Sequence, residues 1–103
     1  MNAFDFETKS KLHKEFADKL NPIYRMKNHD YGDSFAKAID KFGYVSALTR
    51  MDDKWNRICN LMMNMETNPK VDESIEDTLL DLANYCLMLR TEIAYRKNYE
   101  RNS

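Results

Sequence analysis

Residues 44–65, YVSALTRMDDKWNRICNLMMNM, decide the fold. Apolar side chains recur in this stretch at three- and four-residue steps, which is the spacing of one face of an α-helix. The sequence therefore predicts a long helix, and Asn68-Pro69-Lys70 ends it because proline lacks the backbone donor that a helix needs. The predicted apolar positions are Tyr44, Val45, Leu48, Met51, Trp55, Ile58, Met62 and Met65.

A second long helix follows after a short connection. Asp72 is its predicted N-cap, and acidic side chains in its first turn suit the positive end of the helix dipole. Because the connection is short, the two long helices are expected to pack antiparallel. The polar tail 96–103 is predicted to fray. The apolar positions of this helix are Ile75, Leu79, Leu82, Cys86, Leu89 and Ile93.

The N-terminal part predicts shorter helices. The first carries Leu12, Phe16 and Leu20 at four-residue spacing, with Ser10 as a candidate N-cap. Asn21-Pro22 is expected to interrupt it, because proline is comfortable only at the start of a helix.

After this interruption the chain is expected to restart as a helical segment from Ile23 to Lys27. Residues 28–33 are then predicted to form a loop, in which Gly32 takes a left-handed backbone conformation. A short helix over residues 34–41 follows, with Asp33 as its N-cap and Gly43 at its end.

Composition supports a purely helical fold. The 103 residues contain two glycines and two prolines, too few for the turns of a many-stranded sheet. The predicted fold class is all-α: a helical bundle built on two long antiparallel amphipathic helices plus shorter N-terminal helices, in one domain over residues 1–103. Because so short a domain buries only a modest core, we expect it to be oligomeric.

Charge and hydropathy exclude other classes of protein. The formal net charge is −1, whereas general nucleic-acid binding needs a basic surplus. No apolar run approaches the roughly 20 residues that cross a bilayer, and the first residues lack the pattern of a signal peptide. We expect no membrane partner and a cytoplasmic location. Cys59 and Cys86 are predicted to be buried core thiols.

Each of the two predicted long helices carries a stripe of polar side chains that does not belong to its apolar face. Asp81 lies among apolar neighbours, so we expect it to be partly buried and to have a partner. One interpretation is that both stripes are solvated, with surface ion pairs worth about 0–1 kcal/mol each. The other is that they line a site, since apolar residues on both sides of the acids indicate a helix covered on two sides. The stripes are Arg50, Asp53, Arg57 and Asn64 on the first long helix, and Glu73, Asp77, Asp81 and Asn84 on the second.

The stretch from Asp30 to Phe35 is another candidate. Two aromatic residues, Tyr31 and Phe35, flank Gly32 where a helix begins, so free N–H groups are placed to meet an anion while a ring stacks on a base. The alternative is a glycine turn with both rings packed in the core, which is the commoner use of aromatic residues.

A family resemblance extends over roughly residues 20–95. The residues that carry it are Lys27-Asn28, Asp30 to Phe35, Arg50 with Asp53-Lys54 and Arg57, and Glu73 to Tyr85. In this order they resemble the nucleotide modification associated domain family of small phage and bacterial proteins. The resemblance implies an α-helical domain that works on nucleotides or nucleotide-derived molecules, and a phage origin.

The acidic last helix is also similar, more distantly, to all-α nucleotide pyrophosphohydrolases of the MazG type. That resemblance implies a carboxylate cluster that holds Mg²⁺ against a triphosphate. The sequence departs from it, because Arg50, Lys54 and Arg57 suit direct contact with phosphate better than metal ligation. Under this alternative the metal ligands are Glu73, Glu76, Asp77 and Asp81.

Three hypotheses for function follow. The first is a homo-oligomeric protein that binds a nucleotide or a nucleotide-derived host immune signal without chemistry or cofactor, since no nucleophile–base pair at helical spacing is visible. The alternatives are the Mg²⁺-dependent pyrophosphohydrolase and a structural or interaction protein without a ligand. The ligand-binding residues under the first are Lys27, Asn28, Tyr31, Asp33, Phe35, Arg50, Lys54, Arg57, Asp77, Asp81 and Asn84.

Overall fold

The computed structural model describes residues 5–65 and 73–102. These residues form four helices and no strand, so the predicted all-α fold is confirmed. The chain divides into two compact units, Met1–Gly32 and Asp33–Ser103. None of the described helices is long and apolar enough to span a membrane. The helices are α1 (Phe6–Tyr31), α2 (Ser34–Phe42), α3 (Val45–Met65) and α4 (Glu73–Asn102).

The first unit is built on α1, which is continuous through Pro22. The predicted interruption at Asn21-Pro22 is therefore wrong. Pro22 is exposed, and water can bond the carbonyl that lacks its helical donor, so one missing hydrogen bond does not end a 26-residue helix. No residue of α1 is buried.

Both ends of α1 lie outside the predicted bounds. The N-cap is Asp5 rather than Ser10, and its carboxylate accepts from the Thr8 amide at 3.2 Å and the Thr8 hydroxyl at 2.6 Å. The helix ends only at Gly32, which has φ 61° and donates its amide to the Asn28 carbonyl at 2.9 Å. Residues 28–31 are thus helical, and the predicted loop shortens to Gly32 and Asp33.

In the second unit, the predicted start and end of α2 are confirmed. Asp33 is the N-cap and accepts from the Ala36 amide at 3.4 Å. Gly43, at φ 77°, donates to the Ile39 carbonyl at 2.7 Å. Between these caps, Phe35 and Ile39 lie one turn apart and are both buried.

The long helices α3 and α4 run antiparallel, as predicted. Lys54 contacts Asp81 and Arg57 contacts Thr78. Residue numbers that increase along α3 are therefore paired with residue numbers that decrease along α4. The core contains Phe35, Ile39 and Ala47, with Tyr85, Met88 and Leu89 packed against them. Ile58 and Ile75 are buried as well.

The predicted apolar positions only partly coincide with the buried faces. On α3, Ala47 is 1% exposed, whereas Trp55, at the centre of the predicted stripe, is 55% exposed. On α4, Leu79 is 44% exposed, while polar Thr78 and Asn84 are buried. The physical reason is that apolar spacing describes each helix alone, whereas the rotation of α3 and α4 is decided by all the contacts between the helices.

Three further expectations concern ends and thiols. Cys86 is exposed and Cys59 is half-buried, so neither is the fully buried thiol that was predicted. The helix α4 continues to Asn102 through the segment predicted to fray, and Arg96 in that segment bonds both α2 and α4. The predicted cap Asp72 and the break at Asn68-Pro69 lie outside the described residues.

Candidate functional site

A polar cluster lies where α3 meets α4, and it consists of Arg50, Lys54, Arg57, Thr78 and Asp81. The Lys54 ammonium lies 3.2 Å from a carboxylate oxygen of Asp81, and these side chains are 30% and 26% exposed. The partial burial and the partner predicted for Asp81 are therefore confirmed. One turn along, the Nε of Arg57 donates to the Thr78 hydroxyl at 3.3 Å.

Thr78 is held in place by its own helix. Its side chain is buried, and its hydroxyl donates to the Ser74 carbonyl one turn earlier. A hydroxyl has one proton to donate and two lone pairs to accept with. The oxygen therefore faces Arg57 as an acceptor, which orients the guanidinium at the edge of the helix pair.

Arg50 is positioned by an aromatic ring. Its guanidinium carbon lies 5.8 Å from the centre of the Phe35 ring, a distance at which the ring face attracts a cation. Phe35 is itself 4% exposed and is stacked on Tyr85, with ring centres 5.9 Å apart and planes 12° apart. The half-buried Arg50 thus lies against a rigid aromatic pair in the core.

The cluster carries more positive than negative charge. Lys54 is paired with Asp81, but neither Arg50 nor Arg57 makes an ion pair with any described residue. The terminal nitrogens of Arg57 donate to no described side chain either, because its only described hydrogen bond uses Nε. Two guanidiniums oriented by neutral partners are therefore available to an anion, and their forked donors suit phosphate.

Residues 27–92 match the family model described as nucleotide modification associated domain 1. The chain belongs to this family. The match contains α2, α3 and most of α4, and hence the whole polar cluster, in close agreement with the resemblance seen in the sequence. No curated protein and no solved structure matches this family member.

The structure brings several of the predicted binding residues of this nucleotide modification associated domain together. Arg50, Lys54, Arg57 and Asp81 all belong to the polar cluster. Asn84 is 7% exposed and lies three residues beyond Asp81, which is the same side of α4.

Other predicted binding residues have different surroundings. Phe35 is a core residue rather than an open stacking platform, and the carboxylate of Asp33 caps α2. Asp77 is exposed. Lys27, Asn28 and Tyr31 belong to the last turns of α1 in the first unit, where Tyr31 is 70% exposed.

Sequence reasoning missed two residues of the second unit that position the guanidiniums. Thr78 accepts from Arg57, and Tyr85 supports the ring beneath Arg50. Both lie three or four residues from Asp81, on the same side of α4. This helical spacing is the signal in the sequence, but Thr78 and Tyr85 carry no charge and belong to the family motif Glu73 to Tyr85 without standing out in it.

The predicted metal ligands do not form a cluster in the part of the chain that the structure describes. Among those residues, no three His, Cys, Asp or Glu side chains are placed to share a metal ion. Glu76 and Asp77 are exposed, and Asp81 bonds Lys54. The side chain of Glu73 lies outside the described part.

A shallow depression of about 450 Å³ lies further along α4. None of the predicted binding residues lines it. Its lining residues are Arg90, Ile93, Ala94, Lys97 and Asn98.

Proposed function

We propose that this protein binds a nucleotide through its phosphate groups, using the guanidiniums of Arg50 and Arg57. The observation that supports the proposal is the charge of the polar cluster, in which the only described ion pair joins Lys54 and Asp81. Arginine keeps its charge at all physiological pH values and presents a planar fork of donors to phosphate oxygens. The family description, which associates the domain with nucleotide modification, agrees with this choice of anion.

Orientation of the two guanidiniums adds to the argument. Arg57 is held by the Thr78 hydroxyl and Arg50 by the Phe35 ring, and both partners are neutral. Less side-chain entropy is lost on binding when donors are oriented beforehand. Because neither partner neutralises the charge, both guanidiniums keep their attraction for an anion.

We further propose that the protein holds the nucleotide without hydrolysing it. The chain is then a phage protein of the host cytoplasm that sequesters a nucleotide-derived immune signal, and the cluster serves affinity rather than chemistry. The Mg²⁺-dependent hydrolase remains the alternative, and the fate of the bound nucleotide separates the two.

The binding test uses the full chain and titration calorimetry with the four common ribonucleoside triphosphates, and with adenosine as a ligand without phosphate. At least one triphosphate is expected to bind, and adenosine is not. Arg50→Gln and Arg57→Gln are each expected to weaken binding by about ten- to a hundredfold, since a charge-assisted hydrogen bond contributes about 1.5–3 kcal/mol. Arg25→Gln is the matched control, because Arg25 is an exposed arginine of α1 outside the cluster and outside the depression on α4.

Native mass spectrometry of the purified protein, followed by denaturation, reports any nucleotide that was carried through purification. The proposal is overturned if no triphosphate binds and no nucleotide is released, or if all three variants bind as the wild type does. Recovery of the added triphosphate unchanged after incubation with Mg²⁺ supports sequestration. Its loss with Mg²⁺, prevented by EDTA, establishes hydrolysis instead.

A further inference from the structure

The exposed apolar row of α3 consists of Leu48, Trp55 and Met62, each seven residues from the next. These side chains are 54%, 55% and 40% exposed. Seven-residue spacing of apolar side chains is the repeat by which one α-helix packs along another.

A second set of apolar residues, offset by four residues and beginning at Tyr44 just before α3, has the same period but a different environment. It runs Tyr44, Met51 and Ile58, and exposure falls along it from 44% at Tyr44 to 5% at Ile58. Its later members contribute to packing inside the second unit, whereas every member of the exposed apolar row stays open. The row is thus half of a heptad pattern whose other half is already packed.

We propose that a second copy of this chain packs against the exposed apolar row through the same row. A strict seven-residue period is complementary to another helix with that period, and an identical copy supplies one in a two-fold symmetric contact. Electrostatics do not oppose this contact, because the formal net charge is −1 and repulsion between copies is correspondingly small. Asp52, an exposed acid one turn from Leu48, keeps its charge and accepts from the Asn56 amide of its own helix at 3.2 Å.

The exposed area is of the size that dimers use. A fully exposed aromatic side chain offers about 150–250 Å², so Tyr44 and Trp55 together leave roughly 200 Å² open at their 44% and 55% exposure. Val45 and Met63, which are 63% and 72% exposed, border the row. Together these apolar side chains exceed the few hundred Å² that a monomer ordinarily exposes in one patch, and they form the centre of an interface of about 800 Å² per partner.

The proposed contact leaves the polar cluster accessible. Trp55 and Arg57 are two residues apart on α3, which separates them by about 200° around the helix axis. The contact therefore does not depend on nucleotide binding, and either proposal can fail while the other holds.

Trp55 provides a direct test, because it is the only tryptophan of the chain. Its fluorescence emission and the mass from analytical ultracentrifugation are followed as the full chain is diluted from tens of micromolar to nanomolar. We expect a shielded, blue-shifted emission at high concentration and a red shift on dilution, in step with a fall in mass to 12.3 kDa.

Leu48→Glu and Met62→Glu are each expected to move the midpoint of this transition to at least tenfold higher concentration. Leu87→Glu is the matched control, since Leu87 is a 50% exposed leucine of α4 and its replacement should leave the midpoint unchanged. Circular dichroism verifies that each variant remains helical. A mass of 12.3 kDa at all concentrations overturns the proposal. A Trp55 emission that does not change on dilution also overturns it, because the surroundings of that ring would then not depend on a second copy.

Discussion

Asp33 combines two properties that rarely occur in one residue. Its backbone is left-handed, with φ 57°, and its carboxylate accepts the Ala36 amide at the start of α2. Left-handed backbone costs most L-residues about 1–2 kcal/mol, whereas aspartate and asparagine tolerate it. Gly32, the residue before it, is also left-handed, with φ 61°.

Substitutions at Asp33 should separate these two properties. We expect Asp33→Asn to be nearly neutral, because asparagine both caps helices and tolerates left-handed backbone. Asp33→Ala should lower the free energy of unfolding by about 2 kcal/mol, and Asp33→Gly by less, because glycine relieves the backbone strain. Urea unfolding at one fixed protein concentration measures all three. Equal stability of the alanine and asparagine variants would show that neither property matters.

Arg96 joins α4 to α2. Its guanidinium donates to Asp40 at 2.8 Å, to Glu92 at 3.0 Å and to the Ala36 carbonyl at 3.3 Å. The hydrogen bond to Asp40, more than any other contact, raises the pKa of Arg96 above its ordinary value. A single side chain thereby joins the C-terminal part of α4 to α2.

Arg96→Lys is expected to lower the free energy of unfolding by about 1 kcal/mol, although the charge is kept. A lysine ammonium cannot serve three acceptors in the planar geometry of the guanidinium. Thermal or urea unfolding measures the loss, and Arg90→Lys, at an exposed arginine two turns earlier, is the control. A loss of the same size at both positions would assign the effect to helix propensity rather than to the bridge.

At the scale of the element, α1 begins at a titratable cap. The side-chain hydrogen bond from Thr8 is the largest cause that lowers the pKa of Asp5 below 3.8. A carboxylate whose pKa is depressed in the folded state contributes stability above its unfolded pKa, and the contribution disappears as pH falls through the folded value.

We therefore expect the first turn of α1 to loosen as pH is lowered below about 4, the ordinary pKa of aspartate. The Thr8 amide should shift in NMR spectra and lose protection from exchange over that range. In Asp5→Asn, which caps without titrating, this transition of the Thr8 amide should be absent. A transition that persists in Asp5→Asn would assign it to another group.

The helices also show how periodicity and packing differ. In α3 the spacing of apolar residues correctly predicted a helix over nearly its full length, yet Leu48 and Trp55 on that stripe are exposed while Ala47 is buried. The spacing of apolar residues predicts that α3 has a buried face. A neighbouring helix that packs about 80° away around the axis of α3 is compatible with the same spacing. The contacts from Lys54 to Asp81 and from Arg57 to Thr78 lie on that rotated face.

At the scale of the whole molecule, burial is concentrated in the second unit. The core residue Phe35 of α2 packs on Tyr85 of α4 and lies beneath Arg50 of α3, so one ring joins α2 to both long helices. In α1, by contrast, no residue is buried. Amides near Ala47 and Tyr85 are therefore expected to exchange more slowly with deuterium than those of α1.

Two phenylalanines of α2 test this distribution of stability. Phe35→Ala should lower the free energy of unfolding of the second unit by about 3–5 kcal/mol, because a buried ring is removed. Phe42→Ala, at a ring that is 73% exposed, should change it by about 0.5 kcal/mol or less. Deuterium exchange of α3 and α4 amides measures both variants. If the two variants lost the same free energy of unfolding, the core of the second unit would not be centred on Phe35.

The sequence by itself determined the all-helical class, the ends of α2 at Asp33 and Gly43, and the antiparallel order of α3 and α4. These features depend on local backbone preferences and on connection length, which a single chain carries in its residues. Continuity of α1 through Pro22 does not follow from local preference, because proline disfavours a helix interior and only the helix formers on both sides of it compensate.

Only the tertiary structure decided which face of each long helix is buried and which polar residues meet. Asp81 was correctly expected to find a partner, but its choice of Lys54 depends on the relative rotation and height of two helices. The same rotation buried Thr78 and left Trp55 exposed. Rotation follows from the sum of all contacts between elements, whereas the period of a sequence describes each helix alone.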